Sequence, residues 1–179
     1  IRYFGSDVTV EQGVELYNIF LEYASHGSLA DRIKSVGKGR LADFEVRQHT
    51  KSILNGLRCI HASGYVHCDI KPHNILLVGC SYSRSSIIPK LRTAKIADLG
   101  LAKKIGKKGD GLRGTPLYLA PETVSSQDYA TSADIWALGC TVLQMISGDP
   151  PWDYGPNSEI YSVLYKIVCT EEVPEIPSW

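Results

Sequence analysis

The sequence predicts an α+β fold that is mainly helical, with a few strands at its start and in its middle. Three observations indicate this class. Branched and aromatic residues cluster before residue 22, very short apolar runs occupy the middle, and helix-type spacing of apolar residues dominates elsewhere after residue 27. With 179 residues and 44% apolar side chains, the chain is long enough for one domain with a hydrophobic core.

The first elements are predicted to be two strands that pair as a hairpin. Residues 1–4 indicate the end of a strand closed by Gly5, and residues 14–21 form a second strand rich in aromatic and branched side chains. The intervening residues 6–13 are interpreted as a turn.

Two helices are expected next. Ser28 and Asp31 have the spacing of a capping box, which predicts a short helix that ends at Gly37 and Gly39. A longer helix is predicted over residues 44–63 with Gly64 as its C-cap. Its apolar face is formed by Val46, Ile53, Leu57 and Ile60.

After Gly64 the pattern changes to three very short strands at 65–66, 75–78 and 95–97. Residues 79–94 are serine-rich and are predicted to form an extended, mobile loop. Residues 131–147 predict a helix that is apolar around most of its circumference and therefore buried on most sides. A last amphipathic helix is predicted over 158–170.

The charge and cysteine content restrict the possible partners. Lys plus Arg and Asp plus Glu are both 19, so no net charge attracts nucleic acid or an anionic membrane. Five cysteines without a C-x-x-C pair argue against a disulfide framework or a structural zinc site. We therefore expect an intracellular protein, cytoplasmic or nuclear, with no nucleic-acid partner. No apolar run is long enough to predict a membrane span.

Four motifs follow one another and carry the functional signal. They are His67-Cys68-Asp69-Ile70-Lys71-Pro72-His73-Asn74, then Asp98-Leu99-Gly100, then Gly114-Thr115-Pro116-Leu117-Tyr118-Leu119-Ala120-Pro121-Glu122, then Asp134-Ile135-Trp136-Ala137-Leu138-Gly139. Taken singly, each has an ordinary structural interpretation. Asp134, for example, could simply cap its helix from within the Thr131-x-x-Asp134 pattern.

Phosphoryl transfer explains these residue types. The reaction needs a carboxylate that orients the attacking hydroxyl, hard oxygen ligands for Mg²⁺, and a cation near the transferred group. Asp69, Lys71 and Asn74 can place three such groups on one rigid loop. Asp98, directly after a strand, can supply the main metal ligand.

The four motifs resemble the signature set of eukaryotic protein kinases, and the resemblance covers essentially the whole chain. It implies a protein-kinase-like fold and ATP and Mg²⁺ as cofactors. It assigns Asp69 as catalytic base, Lys71 as the cation that faces the phosphate, and Asn74 and Asp98 as metal ligands. Thr115 would position the substrate and the catalytic loop, which is residues 67–74.

The same resemblance assigns the nucleotide-binding residues and the division of the chain. Residues 21–24 match the gatekeeper and hinge, so Leu21, Glu22 and Ala24 would meet the adenine, with Leu76 beneath the ring. Residues 1–24 would be the end of the N-lobe, and residues 25–179 a C-lobe truncated before its last helices. The glycine-rich loop, the strand Lys and the C-helix Glu are missing, which predicts a fragment that is inactive alone.

Lys71 together with Thr115 is typical of serine/threonine kinases. Residues 114–122 and 134–140 resemble the MEKK-like mitogen-activated protein kinase kinase kinases, especially those of plants. That resemblance implies a protein substrate, a downstream mitogen-activated protein kinase kinase. The alternatives are a pseudokinase and a truncated, non-catalytic interaction fragment.

Several positions depart from the kinase pattern. Leu99 replaces the usual Phe and is expected to pack beneath the metal-binding Asp. His73 stands where kinases that select basic substrates often have Glu. Cys68 replaces the Arg that pairs with an activation-loop phosphate, and residues 99–114, here called the activation loop, contain no Ser, Thr or Tyr. We therefore predict that this phosphate switch is absent.

The activation loop is also locally basic. Its charges sum to +4 and come from Lys103, Lys104, Lys107, Lys108 and Arg113 against Asp110. Either they form a solvated face or they attract an acidic patch on a substrate or regulatory partner.

Overall fold

A long β-hairpin opens the chain in the computed structural model, which describes residues 1–79, 92–107, 111–152, 160–170 and 172–177. Strand β1 (Tyr3–Glu11) pairs antiparallel with β2 (Val14–Leu21). Gln12 and Gly13 form the connection with φ values of 51° and 81°, which are the left-handed angles of a two-residue hairpin turn. The turn predicted over residues 6–13 is therefore wrong, since all but two of them lie in or border the ladder.

Helix α1 (Leu29–Ser35) begins with the predicted capping box. The Ser28 Oγ accepts from the Asp31 N–H at 3.1 Å, and the Ser28 N–H donates to the Asp31 carboxylate at 2.9 Å. One 3₁₀ turn at Gly37–Gly39 follows, and then the long helix α2 (Asp43–Ala62), close to its predicted limits.

Four short strands form two antiparallel pairs in the middle of the chain. Strand β3 (Tyr65–Val66) pairs with β6 (Lys103–Lys104), and β4 (Ile75–Gly79) pairs with β5 (Arg92–Ile96). Strand β6 was not predicted. Of the loop predicted over 79–94, both ends belong to β4 and β5, and residues 80–91 lie outside the described residues.

Three further helices complete the described chain: α3 (Pro121–Ser126), α4 (Thr131–Ser147) and α5 (Ile160–Cys169). Helix α3 was not predicted. Helix α4 is buried on most sides as predicted, although Ile135 is 49% exposed. None of the helices in the described ranges is long and apolar enough to cross a membrane.

The main core lies between α1, α2, α4 and the β4–β5 pair. Its fully buried members include Leu29, Ile53, Ile75 and Met145. A smaller cluster of Trp152, Val163 and Ile167 attaches α5. The α+β class is confirmed, and the segments that carry the first two sequence motifs follow β3 and β5.

Candidate active site

The loop between β3 and β4 is tied to the chain that follows β5. His67 is fully buried, and its Nε2 lies 3.1 Å from the carbonyl oxygen of Ala97. Its Nδ1 accepts the Asp69 N–H at 3.2 Å, so the two bonds together fit an imidazole protonated on Nε2. His67 therefore fixes the direction of the backbone at Asp69.

Asp134 anchors the same loop from helix α4. Its carboxylate is 1% exposed and accepts the backbone N–H groups of His67 at 2.8 Å and Cys68 at 2.9 Å. The Nε2 of His61, in the last turn of α2, lies 2.7 Å from the same carboxylate. The interpretation of Asp134 as a simple helix cap is thus wrong, because the N-cap of α4 is Ala130 and the carboxylate points at the loop.

Four of the predicted catalytic residues meet at the Asp69 carboxylate. Lys71 Nζ and Asn74 Nδ2 both lie 2.8 Å from Oδ2, and the Thr115 hydroxyl donates to Oδ1 at 2.7 Å. Lys71 also donates to the Thr115 Oγ1 at 2.6 Å. Residues up to 46 positions apart therefore form one connected polar cluster.

This cluster controls the protonation of Asp69. Burial raises the pKa of the Asp69 carboxyl, but hydrogen bonds from Lys71, Thr115 and Asn74 outweigh it, so the net pKa lies below its ordinary value. The side chain is 7% exposed and ionised at neutral pH. A buried carboxylate with an open acceptor direction is suited to receive a proton from a substrate hydroxyl.

Asp98 and Asn74 are brought side by side by the backbone. The Ala97 N–H donates to the Asn74 carbonyl oxygen at 2.9 Å, which places Asp98 directly after that bond. Asp98 has a left-handed φ of 63° and accepts the Gly100 N–H at 3.1 Å. In the described part of the chain, no cluster of three or more His, Cys, Asp or Glu residues could hold a metal ion by itself.

The donor set fits Mg²⁺ shared with a nucleotide. Asn74 uses its amide nitrogen for Asp69, which leaves its side-chain oxygen as the atom that can face a metal, and the Asp98 carboxylate is exposed. Hard oxygen ligands of this kind, few in number and completed by phosphates and water, are what Mg²⁺ prefers.

The predicted hinge residues lie at the end of the hairpin and in the connection to α1. Leu21 ends β2 and is 54% exposed. Both carboxylate oxygens of Glu22 lie 2.7 Å from Lys95 Nζ on β5, and the Glu22 N–H donates to the Arg2 carbonyl. The Ala24 carbonyl accepts the Gly27 N–H at 3.2 Å.

Leu76 is half-buried on β4 and forms an isolated bridge with Ser28, just beyond the hinge. It therefore lies beside the segment that the resemblance assigns to the adenine.

Leu99 does not pack as expected. It is 60% exposed and lines an open apolar hollow beside Cys59, Tyr65 and Ala102. Asp98 before it has a left-handed φ, and residues 98–100 are all exposed.

Cys68 in the catalytic loop has a left-handed φ of 69°, which is uncommon for a residue other than glycine. Burial, and secondarily the charge of Asp134, raises the pKa of its thiol to about 11. Cys68 is thus a neutral side chain where the resemblance expects a cation.

Gly114 approaches the same loop closely. A Cβ atom on Gly114 would lie 2.5 Å from the Cys68 carbonyl oxygen, and its φ is 107°. Only glycine permits this contact. The sequence motif contains Gly114, but nothing in its spacing indicated this contact.

One basic side chain of the activation loop is buried. Lys103 is 8% exposed, and its Nζ lies 4.6 Å from the centroid of the Tyr129 ring. Lys104 and Lys107 remain exposed, and Arg113 is half-buried. Lys108 and Asp110 lie outside the described residues.

We expect phosphorylation of Thr115 to lower activity. Its hydroxyl donates to Asp69 and accepts from Lys71, so a phosphate there would break the first bond and bring negative charge against the carboxylate. Thr115→Asp in the full-length protein should reduce the phosphorylation rate by about tenfold or more, while Thr115→Ser, which keeps the hydroxyl, should not. Mass spectrometry of active protein checks the site, and an activating phosphate on Thr115 would contradict the prediction.

Comparison with known proteins agrees with these motifs. A family model described as a protein kinase domain matches residues 7–178. Mitogen-activated protein kinase kinase kinase 20 of Arabidopsis thaliana is 46% identical over 99% of this chain and 50% of its own length.

Two further relatives show how widely the similarity extends. Mitogen-activated protein kinase kinase kinase 17 of the same plant is 38% identical over 99% of this chain and 45% of its own length. Mitogen-activated protein kinase kinase kinase 3 of Mus musculus is 32% identical over 99% of this chain and 26% of its own length. The chain thus spans about half the length of these two Arabidopsis relatives.

Proposed function

This chain belongs to the protein kinase family and is similar to plant MEKK-like kinases, and from that premise we propose that the full-length protein transfers the γ-phosphate of ATP to a serine or threonine hydroxyl. The observation that carries the proposal is the cluster of Lys71, Asn74 and Thr115 around the Asp69 carboxylate. A chain that had lost catalysis would have no need to keep all four side chains in one bonded set.

The proposed roles follow from the contacts. Asp69 orients the attacking hydroxyl and accepts its proton, because its carboxylate is ionised and fixed by three donors. Lys71 lies beside that carboxylate and supplies positive charge next to the transferred group. Thr115 links the activation loop to both residues and positions the substrate.

Asn74 and Asp98 are proposed as the ligands of Mg²⁺, and Asp98 as the principal one. ATP would supply the phosphoryl group, and the bound metal would neutralise the negative charge that develops during its transfer. Leu21, Glu22 and Ala24 are proposed to meet the adenine, with Leu76 beneath it. The pairing of Glu22 with Lys95 supports this, because it joins the hinge to the strand that leads into Asp98.

The proposed division of the chain places residues 1–24 at the end of the N-lobe and residues 25–179 in the C-lobe. The hairpin supports this boundary because its strands pair with each other and form no ladder with another described strand.

The proposed substrate is a mitogen-activated protein kinase kinase, in a kinase cascade. The names of the similar Arabidopsis and mouse proteins support this choice, since each is called a mitogen-activated protein kinase kinase kinase. We place the protein inside the cell, in cytoplasm or nucleus, and the four described cysteines support a reducing compartment because all are free.

A phosphotransfer assay of the full-length protein tests the proposal. The substrate is a catalytically inactivated mitogen-activated protein kinase kinase, so that any phosphate comes from the added enzyme, and Asp98→Asn serves as the blank. We expect Mg²⁺-dependent phosphate on serine or threonine, located by mass spectrometry. The pseudokinase alternative would be favoured if neither this substrate nor a generic acceptor protein gained more phosphate than in the blank.

A further inference from the structure

Tyr129 contacts the backbone of the activation loop at two points. It lies between α3 and α4 and is 5% exposed. Its hydroxyl accepts the Arg113 N–H at 2.6 Å and donates to the Gly111 carbonyl oxygen at 3.0 Å. These two hydrogen bonds, one donated and one accepted by the phenol, fix the position of the backbone. They involve main-chain groups only, so they do not depend on the side chains of the loop.

The ring of the same tyrosine contacts the other end of the loop. Lys103 Nζ lies 4.6 Å from the ring centroid, within the range of a cation–π interaction. Lys103 is itself paired with Val66 in the β3–β6 ladder, directly before the catalytic loop. One side chain therefore touches both ends of the segment between residues 103 and 113.

Tyr129 is held on a rigid support. The buried Thr123 donates its hydroxyl to the Asp128 carbonyl at 3.0 Å, and the N–H of Asp128 lies 3.4 Å from the Glu122 carbonyl. Gln127 ends α3 in the left-handed conformation with a φ of 53°. The connection before Tyr129 is thus fixed by its own hydrogen bonds.

The contact at Arg113 is only two residues from the catalytic cluster. Gly114 follows and lies against the Cys68 carbonyl, and Thr115 then donates to Asp69. We expect a displacement of Arg113 to shift Thr115, because only Gly114 separates them and its backbone lies close to the Cys68 carbonyl.

We infer that Tyr129 is a positioning residue that fixes residues 111–113 through hydrogen bonds to their backbone and thereby sets Thr115 against Asp69. This inference rests on the proposed function, because it assigns a role in phosphoryl transfer. It also accounts for how residues 111–113 are held in a chain where Cys68 offers no charge to a phosphate and residues 99–114 offer no hydroxyl to carry one.

Tyr129→Phe in the full-length protein tests the inference. The change keeps the ring, and so the packing and the contact with Lys103, and removes only the hydroxyl. Tyr165→Phe on α5 is the control, because Tyr165 is 63% exposed and the same hydroxyl is removed from a surface side chain. We expect kcat/KM for the protein substrate to fall by about tenfold in Tyr129→Phe, with an unchanged KM for ATP and a fall in Tm of a few degrees from the two lost hydrogen bonds.

Hydrogen exchange provides a readout that does not depend on activity. The Arg113 amide is the proton donated to Tyr129, so its exchange should accelerate by about tenfold in Tyr129→Phe, and amides of α4 should keep their rates. Tyr165→Phe should change neither measurement.

The outcomes separate this inference from the proposed function. Unchanged exchange at Arg113 would overturn the contact, and faster exchange with an unchanged kcat/KM would overturn the positioning role. If the wild-type protein transfers no phosphate at all, the proposed function fails. The positioning role then fails with it, even if the exchange result still establishes that Tyr129 holds the backbone at Arg113.

Discussion

Asp69→Asn is expected to lower kcat of the full-length protein by about 10²–10⁴-fold, which is the usual contribution of a general base. The substitution preserves shape and most contacts. An amide oxygen in the place of Oδ2 can still accept from Lys71 and Asn74, and the amide nitrogen then faces the Thr115 hydroxyl, which can rotate. The loss therefore reports the missing proton acceptor rather than a disrupted site.

The measurement is single-turnover phosphotransfer beside the binding of ATP. The ATP dissociation constant should stay within about threefold of the wild type, because Asp69 is not among the proposed nucleotide contacts. Asp149→Asn is the control, since this carboxylate lies on an exposed residue after α4. An Asp69→Asn protein with at least half of the wild-type rate would remove Asp69 from its proposed role.

The sequence was a good guide to the helices and a poorer one to the hairpin. Helices α1, α2 and α5 bury one side against the core and α4 is buried on most sides, so their apolar spacing is visible in the sequence. The capping box of α1 is visible as well. Most large apolar residues of the hairpin are instead exposed, Val8, Val10 and Tyr17 by more than half. Its strands therefore lack the one-sided alternation that a buried face imposes, and Gly5 suggested an end where there is only a bulge at the register shift.

The sequence predicted the residues of the candidate site but not the hydrogen bonds between them. Motif spacing identifies Asp69 and Thr115, yet no local pattern indicates that residues 46 apart share a hydrogen bond. The burial of Lys103 against Tyr129 was missed for the same reason, because a lysine in a basic loop is usually solvated. Tyr129 itself has no sequence signal, since its role depends on the path of the loop it contacts.

Asp134→Asn is expected to have the largest effect on stability. The buried carboxylate accepts two rigid backbone N–H groups, one on each oxygen, and the His61 imidazole. An asparagine must turn its NH₂ group toward His67 N–H or Cys68 N–H, and neither backbone donor can rotate away. We expect a loss of about 3 kcal/mol in the free energy of unfolding and a fall in Tm on the order of 10 °C.

Asp69→Asn is the matched comparison for that result, because both substitutions replace a buried carboxylate that accepts three donors. At Asp69 one donor is a rotatable hydroxyl, so Tm should change little. The phosphotransfer rate should nevertheless fall strongly. At Asp134 the rigid donors make the same chemical change costly to the fold, and the rate should fall because the loop carrying Asp69 loses its anchor. Thermal denaturation and phosphotransfer, measured on both variants, test these two expectations. An Asp134→Asn protein with wild-type Tm would mean that the loop is held in place by His67 and its bond to Ala97 instead.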